Sequence, residues 1–415
     1  MKMKKVKLES LALPEKGAII SGPFGSNISS KFFVERGVPV IRGNNLCLDY
    51  SKFNDSGFVF ITQEKADELN CWADKEDLLF TAAGTLGQVG VLKEPLNFTR
   101  YVISNKQIRV RLDSTKVNTL YAYYWFSSPW MFKRIAGVNK GSTVPLLTLA
   151  EIRDLPIFLP ENRSTQDAVV EVLESISNKI ALNKKMNQKL EAMAKRLYDY
   201  WFVQYDFPDK NGHPYKTTGG SMTYNETLKR EIPVGWEIKK LEECINLFDS
   251  KRIPLSSQQR ASKKGVIPYY GATGIMDYVD DFIYDGEYIL LAEDGSVETD
   301  DGFVIIQRIW GKTWVNNHAH VIQPKENGQY EFYYQVLSSI VAKKITTGSI
   351  QKKISQENMN AYKLLSPPKD LVLRYSLLVH DSWEKQKKIV EENVKLQNLR
   401  DKLLPLLMNG QVTVA

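Results

Sequence analysis

Four histidines and three cysteines in 415 residues leave little material for histidine acid–base work or thiol chemistry. Cys47, Cys71 and Cys244 are odd in number, far apart and without C-x-x-C spacing, which argues against both a disulfide framework and a zinc site. They read as reduced thiols. No apolar run approaches the roughly 20 residues that span a bilayer, and the lysine-bearing start, Met1 to Ser10, is followed by no apolar signal region, so a cytoplasmic location is expected. No Walker A loop, G-x-S-x-G elbow, H-E-x-x-H helix or N-P-P-F/Y methyltransferase motif occurs. Pro208-Asp209 resembles the opening of a nuclease carboxylate motif, but no E-x-K partner follows and a turn is the better reading. No catalytic residues, bound cofactor or metal are therefore expected.

What is present is repetition. Gly141-Ser142 leads to Pro160 through Thr148, Ile152, Leu155 and Ile157; Gly348-Ser349 leads to Pro367 over the same distance through Ser355, Met359, Tyr362 and Leu364. A period of about half the chain is far longer than a solenoid or propeller unit, so the repeat is a whole domain with a helix, duplicated. The composition, 43% hydrophobic and 25% charged with a net charge of +7, is that of an ordinary globular protein and does not alone identify a polyanion binder. The charge is unevenly spread. Between Asn178 and Arg196 stand Lys179, Lys184, Lys185, Lys189, Lys195 and Arg196 against the single acid Glu191, which is either a solvated helix face or one turned toward a polyanion or acidic partner.

Short strand-like runs punctuated by turns fill residues 1–160: Val38 to Ile41, Asp77 to Phe80, and Gln107 to Arg111 in strict alternation. Residues 235–368 repeat the style with Val266 to Tyr270, Tyr288 to Leu291, and Trp314 to Pro324. Gly84 precedes Arg109 by the spacing that separates Gly295 from His320. Two helical stretches follow the two domains. In the first, heptad positions a and d fall on Val169, Ile176, Asn183, Leu190 and Leu197, and on Val172, Lys179, Met186, Met193 and Tyr200. In the second they fall on Ser382, Ile389, Leu396 and Leu403, and on Leu378, Lys385, Glu392, Leu399 and Leu406. Equal lengths and matching patterns predict an antiparallel coiled coil, with Asn183 and Lys179 fixing register. The expected architecture is α+β and pseudo-twofold: two strand-rich domains, residues 1–160 and 235–368, two long helices, 161–203 and 369–415, and a link, 204–234.

Glycine-rich loops Ser21 to Asn27, Gly84 to Gln88 and Gly271 to Gly274 serve tight turns first. Their exposed amides and Ser/Thr/Asn side chains, beside basic residues, also suit phosphate and base-edge contact. Lys31, Arg36, Arg42, Asn44, Asn45, Thr85, Gln88, Arg100 and Tyr101 are the DNA-binding candidates of the first domain. Lys251, Arg252, Tyr269, Tyr270, Thr273, Ser296, Asn317 and His318 are those of the second. His318-Ala319-His320 could place two imidazoles on one strand face, but with no third ligand nearby a structural or DNA-facing role is favoured. Different residues on one scaffold suit two different sequences, and twofold readers address half-sites on one face of a duplex.

The stretch YWFVQYDFPDKNGHPYKTTGG, Tyr200 to Gly220, resembles the interdomain link of the DNA-specificity subunits of type I restriction–modification systems. Ile232 to Glu237 is similar to the opening of that family's target-recognition domains, and Leu403 to Gly410 to the end of its distal helix. The resemblance implies a non-enzymatic subunit that reads an asymmetric bipartite site, one half per domain, with the helices setting the gap. It also implies two modification (methyltransferase) subunits carrying S-adenosylmethionine, and through them restriction (motor-nuclease) subunits carrying ATP and Mg²⁺. The alternatives, a fused enzyme or a coiled-coil scaffold without nucleic acid, leave the missing motifs or the basic loops without explanation.

Overall fold

The computed structural model describes residues 2–137, 146–348 and 352–413; Gly141, Ser142 and Ser349 of the repeat lie outside the described residues. The chain forms two compact units, Met1–Lys185 with Ile389–Ala415, and Met186–Lys388.

In the first unit the strands are β1 (Met3–Lys7), β2 (Ile19–Ser21), β3 (Val38–Ile41), β4 (Val59–Ile61) and β5 (Trp72–Ala73). β6 (Leu78–Thr81), β7 (Val89–Val91), β8 (Tyr101–Ile103), β9 (Gln107–Val110) and β10 (Pro156–Pro160) complete the set. One sheet has the order β2-β9-β6-β7 and a second β4-β3-β8-β5, while β1 pairs with β10. Among the described residues of this unit only β3 and β8 run parallel, with Val40 opposite Val102. The β6 residues Leu78, Leu79, Phe80 and Thr81 are all buried, as expected of a short apolar run flanked by strands on both sides.

The second unit opens with the link hairpin β11 (Met222–Asn225) and β12 (Arg230–Pro233). There follow β13 (Glu237–Lys240), β14 (Ile245–Leu247), β15 (Lys264–Tyr270), β16 (Ile275–Val279), β17 (Tyr284–Asp285) and β18 (Tyr288–Ala292). After them come β19 (Ile306–Ile309), β20 (Lys312–Val315), β21 (Ala319–Pro324), the small pair β22 (Thr346–Thr347) and β23 (Lys353–Ile354), and β24 (Lys363–Ser366). The sheets are β14-β21-β18-β19 and β16-β15-β20-β17, with β13 on β24. β15 and β20 form the parallel pair. In the four-stranded sheets and the β1–β10 and β13–β24 pairs the duplication is thus strand for strand, the β11–β12 and β22–β23 pairs being, among the described residues, additions of the second unit.

The repeated residues keep their roles. Thr148 and Ser355 each cap a short helix by accepting a backbone N–H three residues on. Ile152 and Met359 are fully buried, and Ile157 and Leu364 lie in matching strands. Register corrects one correspondence: Phe80, just ahead of Gly84, faces Ile108, whereas Leu291, just ahead of Gly295, faces His320. Ile108, not Arg109, holds the place of His320, because the second connection is one residue longer.

The long helices span Arg163–Tyr198 and Lys369–Met408. In the first unit Leu173 shares a core with Leu404 and Leu407, and Asn183 Nδ2 donates to Glu392 at 2.7 Å and to Asn393 at 2.9 Å. Positions rise along one helix as they fall along the other, so the pairing is antiparallel. In the second unit the Tyr375 hydroxyl donates to the Ala194 carbonyl at 3.0 Å, and the Tyr198 and Tyr375 rings lie 6.1 Å apart.

The heptad frame is half right. Val169, Ile176, Asn183 and Leu190 are buried as expected, and Val172 and Leu197 pack half-buried against the cores. The second buried row of the first helix, however, is Leu173, Ile180 and Ala194, one residue beyond Val172, Lys179 and Met193; Met193 is 61% exposed. In the second helix Ile389 is buried and Leu396 and Leu403 are half-buried, but Leu378, 62% exposed, and Leu399 point outward. Buried in its first half are instead Leu371, Val372, Tyr375, Ser376, Val379 and Trp383, a stripe wider than a two-position heptad seam and set off from Leu378. Tyr375 also packs on Phe332 of the domain, so the domain shares in choosing the buried stripe.

Candidate nucleic-acid interface

In the first module three connections converge: those after β3 and after β6, and the turn between β8 and β9. They enclose a hollow of about 670 Å³, walled by Arg42, Asn44, Thr85, Gln88, Asn105 and Lys106 with Ile28 and Phe33 beneath. Among the described residues its walls carry no acid. Arg42 donates to the Gly57 carbonyl at 3.3 Å, while its Nε has no hydrogen-bond partner among the described residues. Gln88 accepts from Thr81 Oγ1 at 3.1 Å and donates to the Leu46 carbonyl at 3.0 Å, which fixes its amide at the base of the hollow. Thr85, Asn105 and Lys106 are exposed. Such a lining offers a cation, amides and hydroxyls to base edges or phosphates.

The hollow thus brings together Arg42, Asn44, Thr85 and Gln88 of the sequence-based candidates. Asn45 is a correction: it is fully buried, accepting from the Arg42 amide and donating to the Asn54 and Ser56 carbonyls, so it shapes the loop. Tyr101 is another, a core residue whose hydroxyl donates to Asp55 at 2.7 Å. Arg100 stands elsewhere, paired with Asp74 at 2.7 Å and stacked on Trp72. Lys31, set over Phe32, and Arg36 are exposed but do not line the hollow. Asn105 and Lys106 were missed by sequence reasoning; an Asn-Lys pair between two apolar strands was the available turn signal.

In the second module the matching connections carry Gly271 to Gly274, Asp294 to Ser296, and Asn317-His318. Gln307 Nε2 donates to the Gly271 and Ala272 carbonyls at 3.0 and 2.8 Å, tying down the first. His318 Nδ1 lies 2.5 Å from Asp294 Oδ1, joining the other two. Thr273, Ser296, Asn317 and His318 are exposed and available; Tyr270 is half-buried. Burial pushes the Tyr270 phenol up to about 12, so it stays neutral. Lys251 is exposed beside Phe248. Tyr269 is a correction, a core residue whose hydroxyl accepts from the Leu255 amide at 2.9 Å.

Arg252 is the remaining correction. It donates to Glu293 at 2.7 Å and to the Ala319 carbonyl at 2.8 Å, and lies 3.4 Å from Asp249. His320, fully buried, faces Asp249 at 2.6 Å through Nδ1 and the Ile354 carbonyl at 2.9 Å through Nε2. Asp249, Glu293 and His320 bring ligand atoms within 4.8 Å of one another. Arg252, Lys353 on Glu293 at 3.1 Å and Gln356 on Asp249 at 2.6 Å already satisfy those carboxylates. The cluster is a self-neutralised polar core, and the His318-Ala319-His320 pair divides into one surface and one structural imidazole. Among the described residues no helix is long and apolar enough to cross a membrane.

Two copies of one strand-rich module, each with a loop-built polar rim and each closed by paired long helices, define a duplicated target-recognition protein. The chain belongs to the type I restriction modification DNA specificity domain family, whose model matches residues 28–192 and 233–392. It is 24% identical over 357 residues to the type I restriction enzyme MjaIX specificity subunit of Methanocaldococcus jannaschii, covering 82% of this chain and 78% of that protein. A putative type I restriction enzyme specificity subunit of Haemophilus influenzae is 35% identical over 149 residues, 35% of this chain and 38% of its own length. The fold matches the crystal structure of a type I restriction–modification S subunit from M. genitalium with a TM-score of 0.55 at 16% identity, covering 98% of this chain and 96% of that one. This is a DNA-specificity subunit without catalytic activity of its own; catalysis resides in partner subunits.

Proposed function

We propose that the chain reads an asymmetric bipartite duplex, one half-site per module, while its two long helices set the unspecific gap and dock two modification subunits. The strand-for-strand duplication with different side chains on matching rims carries this reading, since one scaffold bearing two rims suits two different half-sequences. Docking rests on exposed apolar side chains along the helices. The first unit presents Leu182, Val390, Val394 and Leu399, and the second Met186, Met193, Leu377 and Leu378. Grouped exposed apolar residues mark protein contacts, and one group per unit suits one modification subunit per unit. S-adenosylmethionine belongs on those subunits, ATP and Mg²⁺ on restriction subunits that join through them, and the assembly in the cytoplasm.

The test is the methylated motif of a host expressing the chain with its modification subunit. A four-residue insertion near Asn183-Lys184 adds about 6 Å of helix and, at 3.4 Å per base pair, lengthens the gap by one to two base pairs with both half-sites unchanged. A two-residue insertion turns the following stripe by about 200°, taking Leu190, Ala194 and Tyr198 from their partners, and abolishes assembly. An active four-residue mutant with an unchanged gap refutes the ruler.

A further inference from the structure

We propose that Phe24 is a wedge that enters the base stack of the bound duplex, with Ile253 as its counterpart in the second module; this rests on the reading of both modules as DNA readers. Single exposed apolar residues are ordinary, but the loop that carries Phe24 is not. A Cβ on Gly22 would lie 1.9 Å from the Ser104 carbonyl oxygen, so only glycine lets the backbone press against the β8–β9 turn here. The Gly22 amide donates to the Gln107 carbonyl at 2.9 Å, and a Cβ on Gly25 would meet Asn105 Nδ2 at 3.0 Å. Both sides of Phe24 are therefore seated on the turn that walls the reading hollow, and Ile28, four residues on, is buried in that wall. The ring between them is 84% exposed.

The surroundings favour a nucleobase step over a protein groove. Asn105, against which Gly25 sits, offers hydrogen bonds next to the loop, and Arg42 and Lys106 bring positive charge to the hollow that the β8–β9 turn walls, which among the described residues has no acid. An apolar wedge flanked by such groups is the arrangement that unstacks a base step and bends a duplex toward more protein surface. The second module repeats the device in other residues. The loop after β14, the strand matching β2, carries Ile253 at 53% exposure, its carbonyl held by Trp314 Nε1 at 2.7 Å.

The experiment uses the chain assembled with its modification subunits and duplexes carrying 2-aminopurine at successive steps of the half-site read by the first module. In the wild type one step brightens several-fold on binding. Phe24→Ala abolishes that signal, lowers affinity about ten-fold and leaves the melting temperature unchanged, whereas Phe24→Trp keeps the signal. If the wild type binds its target and no brightened step depends on Phe24, the wedge is overturned while the reading of the modules stands. If the wild type discriminates no target at all, both fall.

Discussion

The two modules share every strand of their two four-stranded sheets and of the pair that flanks them, yet they bury and display different chemistry. In the first, Arg111 donates to Asp77 and Asp74 at 2.9 and 2.7 Å, and Arg109 is buried 4.0 Å from Asp77. In the second the same sheet is pinned by Asp249, Glu293, His320 and Arg252. The rims differ likewise: an acid-free hollow with Arg42 and Lys106 in one, an Asp294–His318 pair in the other. Apolar strands and turn positions specify the scaffold. Inner polar contacts are free to change provided buried charges remain compensated, and outer ones change with the target.

The sharpest way to break this comparison is Arg252→Ala. It leaves Asp249 and Glu293 short of a cation, and loss of one partner from a buried charge cluster costs about 3–5 kcal/mol. Hydrogen exchange should show lost protection in residues 237–366 with the first module unaffected; equal loss in both would deny that each module holds its own polar core. Next in size are the rims. Lys106→Ala and Asn105→Ala should cost about 1–3 kcal/mol for a base contact, confined to the first half-site, and His318→Ala or Asn317→Ala the same for the second. Binding measured against targets altered in one half at a time decides this, and a mutant that relaxes the other half refutes the assignment.

A smaller, graded effect is expected with acid. Burial pushes the Asp249 carboxyl up, but His320, the Val321 amide and Arg252 outweigh it and hold it below its usual value. Arg252 and Lys353 likewise hold Glu293 low against the effect of burial. Both groups bind protons more readily in the unfolded chain, so their stabilisation is complete above the ordinary carboxylate range and lost as pH falls through it. Module-resolved melting should show the second module weakening in that window, and Asp249→Asn should flatten the response. Smallest is the exposed His318–Asp294 pair: Asp294→Asn should alter stability by no more than about 1 kcal/mol, measured in the same melts.

The duplication, the link and the helices were legible because apolar periodicity and turn residues are local signals. The helix frame was half legible: Asn187 and the small Ala194 disguise the buried row, while Met186 and Met193 advertise a face that the fold leaves open. The rims were harder to read. Tyr101 and Tyr269 have the amphipathic character of contact residues but are spent on inner hydrogen bonds, and whether Arg252 meets a phosphate or Glu293 depends on residues distant in sequence. Asn105 and Lys106 escaped notice because only the convergence of three separate connections gives their turn a neighbour.

The first unit is assembled from two distant stretches. Leu404, Leu407 and Met408 are buried in one core with Leu8, Phe126 and Val169, whereas the second unit is the uninterrupted segment Met186–Lys388. On a ribosome, which delivers the chain from its start, the usual order in which domains fold is therefore inverted. The module translated first cannot seal its core until residues beyond Ile389 have emerged, and the module translated second is already complete by then. A truncated product would thus carry a finished second reader beside an open first one, and a nonsense or frameshift change near residue 389 would strike the module encoded farthest from it.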